Sequence, residues 1–178
     1  MRLLDIERED ADAFAEAFAG CEAVVFAAGG GPDGDIERKR TVDLEGSVKS
    51  IEAAEKAGIR RFVQISAIDV DKPVPEDTDE IWKVYVAAKR DADVALRASD
   101  LDWTILRPGM LTDEDATGAV ALGPEVERAE VTRADVAATV AAVFADPASV
   151  GHQWNLVNGA DPIPEAVAAA AQQRPDGF

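Results

Sequence analysis

The stretch AVVFAAGGG, Ala23 to Gly31, reads as a strand covered on both faces that ends at a glycine run. From Ala23 to Ala28 six apolar residues follow one another without a polar interruption, β-branched and aromatic members among them, as in a strand of a parallel sheet. On either side the period changes from strand to helix. Upstream, Ala11, Phe14, Ala17 and Phe18 recur at helical spacing and predict an amphipathic helix over residues 9 to 19, ending near Gly20. Downstream, a long helix from about Asp35 to Lys56 sets Val42, Val48, Ile51 and Ala54 on its inner side, with Gly58 as the C-cap signal.

The same alternation continues to the end of the chain. RFVQIS, Arg61 to Ser66, is the next strand; a charged loop with proline runs through Thr78, and a helix follows from about Glu80 to Ala98. DWTILR is a third strand, ending at Arg107 before Pro108 and Gly109. A helix from about Arg133 to Ala145, a strand HQWNLV from His152 to Val157 and an alanine-rich helix near Glu165 to Gln172 complete the pattern. Short apolar strands alternating with helices of a dozen residues imply βαβ units, an α/β class and a parallel sheet with helices on both faces. In such sheets ligands bind beyond the carboxyl ends of the strands, so the loops after Ala28, Ser66 and Arg107 are where chemistry is expected.

Composition narrows the class. The 178 residues suit one domain, and 47% hydrophobic with 30% charged residues is globular composition. The 35 acidic against 18 basic residues give a net charge of -17, which disfavours nucleic acid and anionic membrane as partners. Only six of the basic residues are lysine. An acidic, lysine-poor surface is expected of a halophilic protein, since concentrated salt screens carboxylate repulsion. The single cysteine, Cys21, cannot form an internal disulfide and is expected at or near the core. MRLLDIERED is acidic with no long apolar run, and no segment approaches the ~20 apolar residues of a membrane span, so a cytoplasmic location is expected.

Three places could carry chemistry. Ala27, Ala28 and Gly29, with Gly30 and Gly31, offer small side chains against which a ligand could lie, and the same run serves equally as a turn. In YVAAK, Tyr85 and Lys89 stand four apart on one helical face, and Tyr85 is the only tyrosine. An ammonium beside a phenol favours the phenolate and lowers its pKa from about 10, suiting it to acid/base work; a solvated helix face with a half-buried aromatic gives the same spacing. Ser66 ends its strand at the carboxyl edge, where it could hydrogen-bond a substrate carbonyl or simply terminate the strand. His152 has no partner at ligand spacing and reads as a surface or partly buried strand residue, so no metal is expected.

In order and spacing, AVVFAAGG (Ala23 to Gly30), TVDLEGSVKSIEAAEKAGIRRFVQIS (Thr41 to Ser66), YVAAKRDADVALRASDLDWTILRPGMLTD (Tyr85 to Asp113) and VTRADVAATVAAVF (Val131 to Phe144) resemble the atypical short-chain dehydrogenase/reductases with an NAD(P)H-binding, NmrA-like or flavin-reductase-like domain. The resemblance implies a Rossmann-like fold, NAD or NADP as cofactor, and a small-molecule substrate with a carbonyl or flavin-like acceptor. It implies that Tyr85 is the catalytic acid/base, that Lys89 binds the nicotinamide ribose and tunes Tyr85, and that Ser66 lies near the reacting carbonyl. Ala27, Ala28 and Gly29 would line the cofactor, Asp5 and Ile6 would lie beside the adenine, and the backbone of Pro108, Gly109, Met110 and Leu111 would lie by the carboxamide. Related chains often carry consecutive serines where this one reads Ser66, Ala67, Ile68.

The family also opens with a strand, a GxxGxxG phosphate loop and a second strand, and none of these precedes Asp5 here. Residues 1 to 6 are therefore expected to be the tail of the third family strand, with the first two βα units absent. Met1 is then open to question as the true start. A chain without that loop should bind NAD(P)(H) in the range of about millimolar or poorer. The Ala23 to Ala28 strand becomes an open edge through which copies could pair. An NAD(P) sensor without turnover, an NAD-dependent epimerase or dehydratase, and an inactive remnant stay open beside the oxidoreductase.

Overall fold

A computed structural model describes residues 2–31 and 35–173, so Met1 lies outside the described residues. The chain divides into two compact units, one from Met1–Gln64 and Val70–Trp103, the other from Ile65–Asp69 and Thr104–Phe178.

The first unit contains α1 (Ala11–Phe18), β1 (Ala23–Phe26), α2 (Ile36–Arg38), a π-helical segment (Lys39–Glu45), α3 (Gly46–Lys56), most of β2 (Arg61–Ile65) and α4 (Glu80–Arg97). Three of these helix starts have a side-chain cap. Asp10, Asp35 and Asp79 turn their carboxylates onto the free N–H groups that open α1, α2 and α4. β1 and β2 run parallel in the register Ala23↔Arg61 to Phe26↔Gln64. Phe14, Val24, Phe26, Val42, Ile51, Phe62, Val63, Val86 and Leu96 are buried here.

The second unit contains β3 (Asp102–Pro108) from Thr104 onward, β4 (Met110–Thr112), β5 (Ala119–Gly123), β6 (Glu130–Thr132), α5 (Arg133–Ala145), β7 (His152–Asn158), β8 (Asp161–Pro162) and α6 (Ile163–Ala171). β3 pairs in parallel with β7, from Thr104↔His152 to Pro108↔Leu156. β5 then pairs antiparallel with β7 and with β8, and β4 with β6 makes a small parallel ladder. Val120, Val131, Val136, Leu156, Ile163 and Ala166 form the core between these strands and α5 and α6.

The α/β class and the mostly parallel sheet agree with the sequence reading, with five differences. The sheet is mixed, because β5 forms between β4 and β6, where the sequence pattern names no strand; its five residues are too few to stand out without the partner strand. The helix expected over Asp35 to Lys56 is broken by its π-helical turn, which widens the coil and shifts the phase of everything before it. Val48 is only half-buried, whereas Asp43, Ser47 and Ser50 are buried. Residues 2–6 form no strand. Cys21 is exposed rather than near the core, since it lies in the turn before β1, and Val25 is 44% exposed, so β1 is not covered on both faces.

Candidate active site

Within the first unit, α4 carries Trp82, Tyr85 and Lys89 on one stripe at i, i+3 and i+7. Burial deepens along it: Trp82 is exposed, Tyr85 half-buried and Lys89 buried. The Trp82 and Tyr85 rings lie 5.2 Å apart at a tilt of 36°, and Lys89 Nζ stands 6.0 Å from the centre of the Tyr85 ring. The spacing read from the sequence thus becomes a cation beside a phenol ring, and Lys89 is not on a solvated face.

What the sequence reading missed is the counter-charge. Asp43, in the π-helical segment and 1% exposed, places Oδ1 3.0 Å from Lys89 Nζ. Its other oxygen, Oδ2, accepts the Gly30 N–H at 2.8 Å. Oδ1 has charge contact with the ammonium but no aligned hydrogen-bond donor among the described residues. An ammonium held in the interior needs such a partner, because an unpaired buried charge costs several kcal/mol. No local signal marks it, because the π-helical turn rather than the helical period brings Asp43 inward. One layer deeper, Ser47 donates to Gln64 Oε1 at 2.6 Å and Gln64 Nε2 donates to Asp93 Oδ1 at 2.7 Å, so buried polar groups join α3, β2 and α4.

The glycine run has mostly structural causes. A Cβ on Gly30 would meet the Arg38 carbonyl at 2.7 Å, and Gly31 has φ +78. The Lys39 ammonium donates to the Gly31 carbonyl. Gly29 is exposed, and a Cβ there would come within 3.2 Å of Asp43 Oδ1; Ala27 is exposed and Ala28 half-buried. Beyond β1 the backbone is therefore a ledge without bulky side chains, tied through Asp43 to Lys89. Asp5 accepts the N–H groups of Glu7 and Arg8 in a turn, and Ile6 packs where a Cβ on Gly46 would stand, so both have structural work of their own.

The second unit holds the remaining predicted residues. Ser66 is buried and its N–H donates to Leu106 O at 2.8 Å. Gly109 is forced to be glycine, since a Cβ would lie 1.9 Å from the Ala129 carbonyl. Its N–H goes to Leu156 O and that of Met110 to Ala129 O, so these two amides are already used. Pro108 is buried, while Met110 is 53% and Leu111 39% exposed, leaving two apolar side chains open beside the end of β3. His152, expected at the surface or partly buried, is buried and stacks on Trp154 with ring centres 4.8 Å apart; burial lowers its pKa.

A nicotinamide nucleotide fits the first unit on these observations. The small-residue ledge of Ala27 to Gly29 ends at a buried ion pair, and a phenol stands beside the same cation. A family model described as NAD(P)H-binding matches residues 1–147. The chain belongs to this NAD(P)H-binding family. Among the family's similar proteins, the uncharacterized sugar epimerase YhfK of Bacillus subtilis is 40% identical over 153 residues, covering 86% of this chain and 71% of its own length. A Bacillus halodurans structure described as an NAD-dependent epimerase/dehydratase superposes with a TM-score of 0.85 at 36% identity, over 94% of this chain and 76% of that one. The oxidoreductase ylbE of Lactococcus lactis gives a TM-score of 0.86 at 31% identity, over 99% and 80%. No helix among the described residues is long and apolar enough to cross a membrane.

Proposed function

We propose that the chain is the acid/base part of an NAD(P)(H)-dependent oxidoreductase acting on a small carbonyl or flavin-like substrate. The observation that carries this is the Tyr85–Lys89–Asp43 arrangement, in which the only tyrosine stands beside a buried, paired ammonium at the end of a small-residue ledge. A bound NAD(P)(H) supplies or accepts the hydride. Tyr85 Oη gives its proton to the substrate oxygen as that oxygen gains charge, and takes it back in the reverse direction. Lys89 favours the phenolate form of Tyr85 and offers N–H groups to the ribose hydroxyls, while Asp43 fixes the ammonium in place. Ala27, Ala28 and Gly29 let the ribose approach the backbone, Asp5 and Ile6 are assigned to the adenine end, and Ser66 with the Pro108 to Leu111 backbone to the substrate and carboxamide.

An epimerase or dehydratase is the second reading, favoured by the likeness to YhfK and to the Bacillus halodurans protein. It uses the same Tyr85 proton transfer with transient oxidation. Pairing of two copies along the open side of β1 and a cytoplasmic, salt-adapted setting belong to the same proposal.

The test is Tyr85→Phe. It should lose most turnover, on the order of a hundredfold or more, while NAD(P)H affinity by titration stays within a few-fold, since general acid/base catalysis contributes about 10²–10⁴-fold. Near-normal turnover in that variant removes Tyr85 from the mechanism.

A further inference from the structure

The stripe on α4 does not end at Tyr85. One turn towards the solvent stands Trp82, 39% exposed, with its ring 5.2 Å from that of Tyr85. Trp103 is half-buried and Trp154 buried, so Trp82 is the one tryptophan that keeps a large part of its indole in water. Leaving so much aromatic area exposed forgoes burial that a tryptophan ordinarily obtains, and exposed aromatic rings beside reactive groups offer stacking surface. Trp82 and Tyr85 are neighbours on one stripe of α4, so a molecule held at the Tyr85 ring lies within a turn of the exposed indole.

The charges at the start of α4 limit what that molecule can be. Glu76, Asp77, Asp79 and Glu80 are all exposed at the start of α4. The N–H groups of Ile81 and Trp82, which could otherwise receive an anion at the helix start, are held by the Asp79 carboxylate. Lys83, the residue after Trp82, donates to the Glu76 carbonyl at 2.6 Å. A phosphate or carboxylate on the substrate would meet four carboxylates and an occupied helix N-terminus.

Resting on the Tyr85 reading above, we propose that Trp82 is a substrate-binding residue, stacking on an uncharged ring that bears the reacting carbonyl. Substrates carrying phosphate or carboxylate on that ring are excluded by the acidic start of α4. The site thus selects neutral cyclic or aromatic carbonyl compounds over acyclic or anionic ones.

Binding rather than turnover tests this, so the outcome does not depend on Tyr85 chemistry. Three probes are titrated into the 178-residue chain by saturation-transfer NMR, at the lowest salt that keeps it folded: 4-nitrobenzaldehyde, its anionic counterpart 4-carboxybenzaldehyde, and propanal, which has no ring. The wild-type chain should bind 4-nitrobenzaldehyde at least about tenfold more tightly than either of the others. Trp82→Phe should keep that affinity within about twofold, and Trp82→Ala should lose about three- to tenfold, the range of an aromatic pair. Rescue by phenylalanine separates ring stacking from general loss of fold. Equal binding of the anionic aldehyde, equal binding by Trp82→Ala, or no binding of 4-nitrobenzaldehyde overturns the proposal.

Discussion

Two aspartates, Asp43 in the first unit and Asp135 in the second, are both buried, and their surroundings differ in kind. Asp135 lies in the first turn of α5 and is served by neutral donors: the N–H of Thr117 at 3.0 Å, the N–H of Gly118 at 2.9 Å, the Thr117 hydroxyl at 2.8 Å and the Asn158 amide at 2.6 Å. Burial pushes its pKa up, but those donors outweigh it and hold the carboxyl well below the usual range. Thr132 caps the Asp135 N–H, and Asn158 Oδ1 accepts the Thr132 N–H, so the carboxylate fastens the β4–β5 connection and β7 to the start of α5. Asp43 has one backbone N–H and an ammonium, with one oxygen lacking an aligned donor. A carboxylate whose acceptor capacity is filled by neutral groups is a fastener. A buried ion pair has little net stabilising value, and its retention beside a lone tyrosine fits a site that needs the cation.

The largest effect expected from this contrast is at Asp43. Asp43→Ala removes the carboxylate that pairs with the buried Lys89 ammonium and should cost about 3–5 kcal/mol in urea unfolding. Removing both charges together, as Asp43→Leu with Lys89→Met, should recover most of that loss while abolishing turnover. A double variant as unstable as the single one would break the distinction between the two aspartates.

Asp135→Ala comes next, at about 2–3 kcal/mol, because the freed N–H groups of Thr117 and Gly118 belong to an exposed loop and can reach water. Amide exchange at residues 117–119 should accelerate while that of the β3–β7 ladder does not. Uniform acceleration would mean that Asp135 supports the whole unit rather than one loop. The wild-type stabilisation is complete above the ordinary carboxylate pKa of about 3.9 and is lost as the pH falls towards the depressed value. Asp135→Asn should therefore flatten the acid limb of the stability profile.

The smallest effect concerns His152, the only histidine, which the fold keeps neutral by burial. Its folded pKa lies below the unfolded value of about 6.5, so the unfolded chain takes up the proton first. Stability should decline as the pH falls below that value and level off beneath the folded pKa. Melting temperatures of the wild type and His152→Gln, followed from pH 8 to 5, should diverge just below pH 6.5. Parallel curves would show that burial does not govern this histidine.

The apolar run at Val24 to Phe26, the run at Arg61 to Ile65 and the 3.6-residue stripe of α4 were legible because each burial pattern is written locally, in the spacing of neighbouring side chains. Tyr85 and Lys89 were legible for the same reason, since four residues on a helix fix their proximity. β5 was not, because its five residues become a strand only by pairing with β7. Asp43 was not either: a π-helical turn rotates it, and its ammonium comes from a helix 46 residues away in sequence. Cys21 and Val25 reverse the sequence expectation because apolar character gives a preference for burial, while the packing of neighbouring elements decides whether cover exists. By itself the sequence determined the alternation of strands and helices and the proximity of Tyr85 and Lys89 on one of them. Only the tertiary structure decided which carboxylate holds the cation and which fastens a loop, because those partners are brought together by the packing of distant segments.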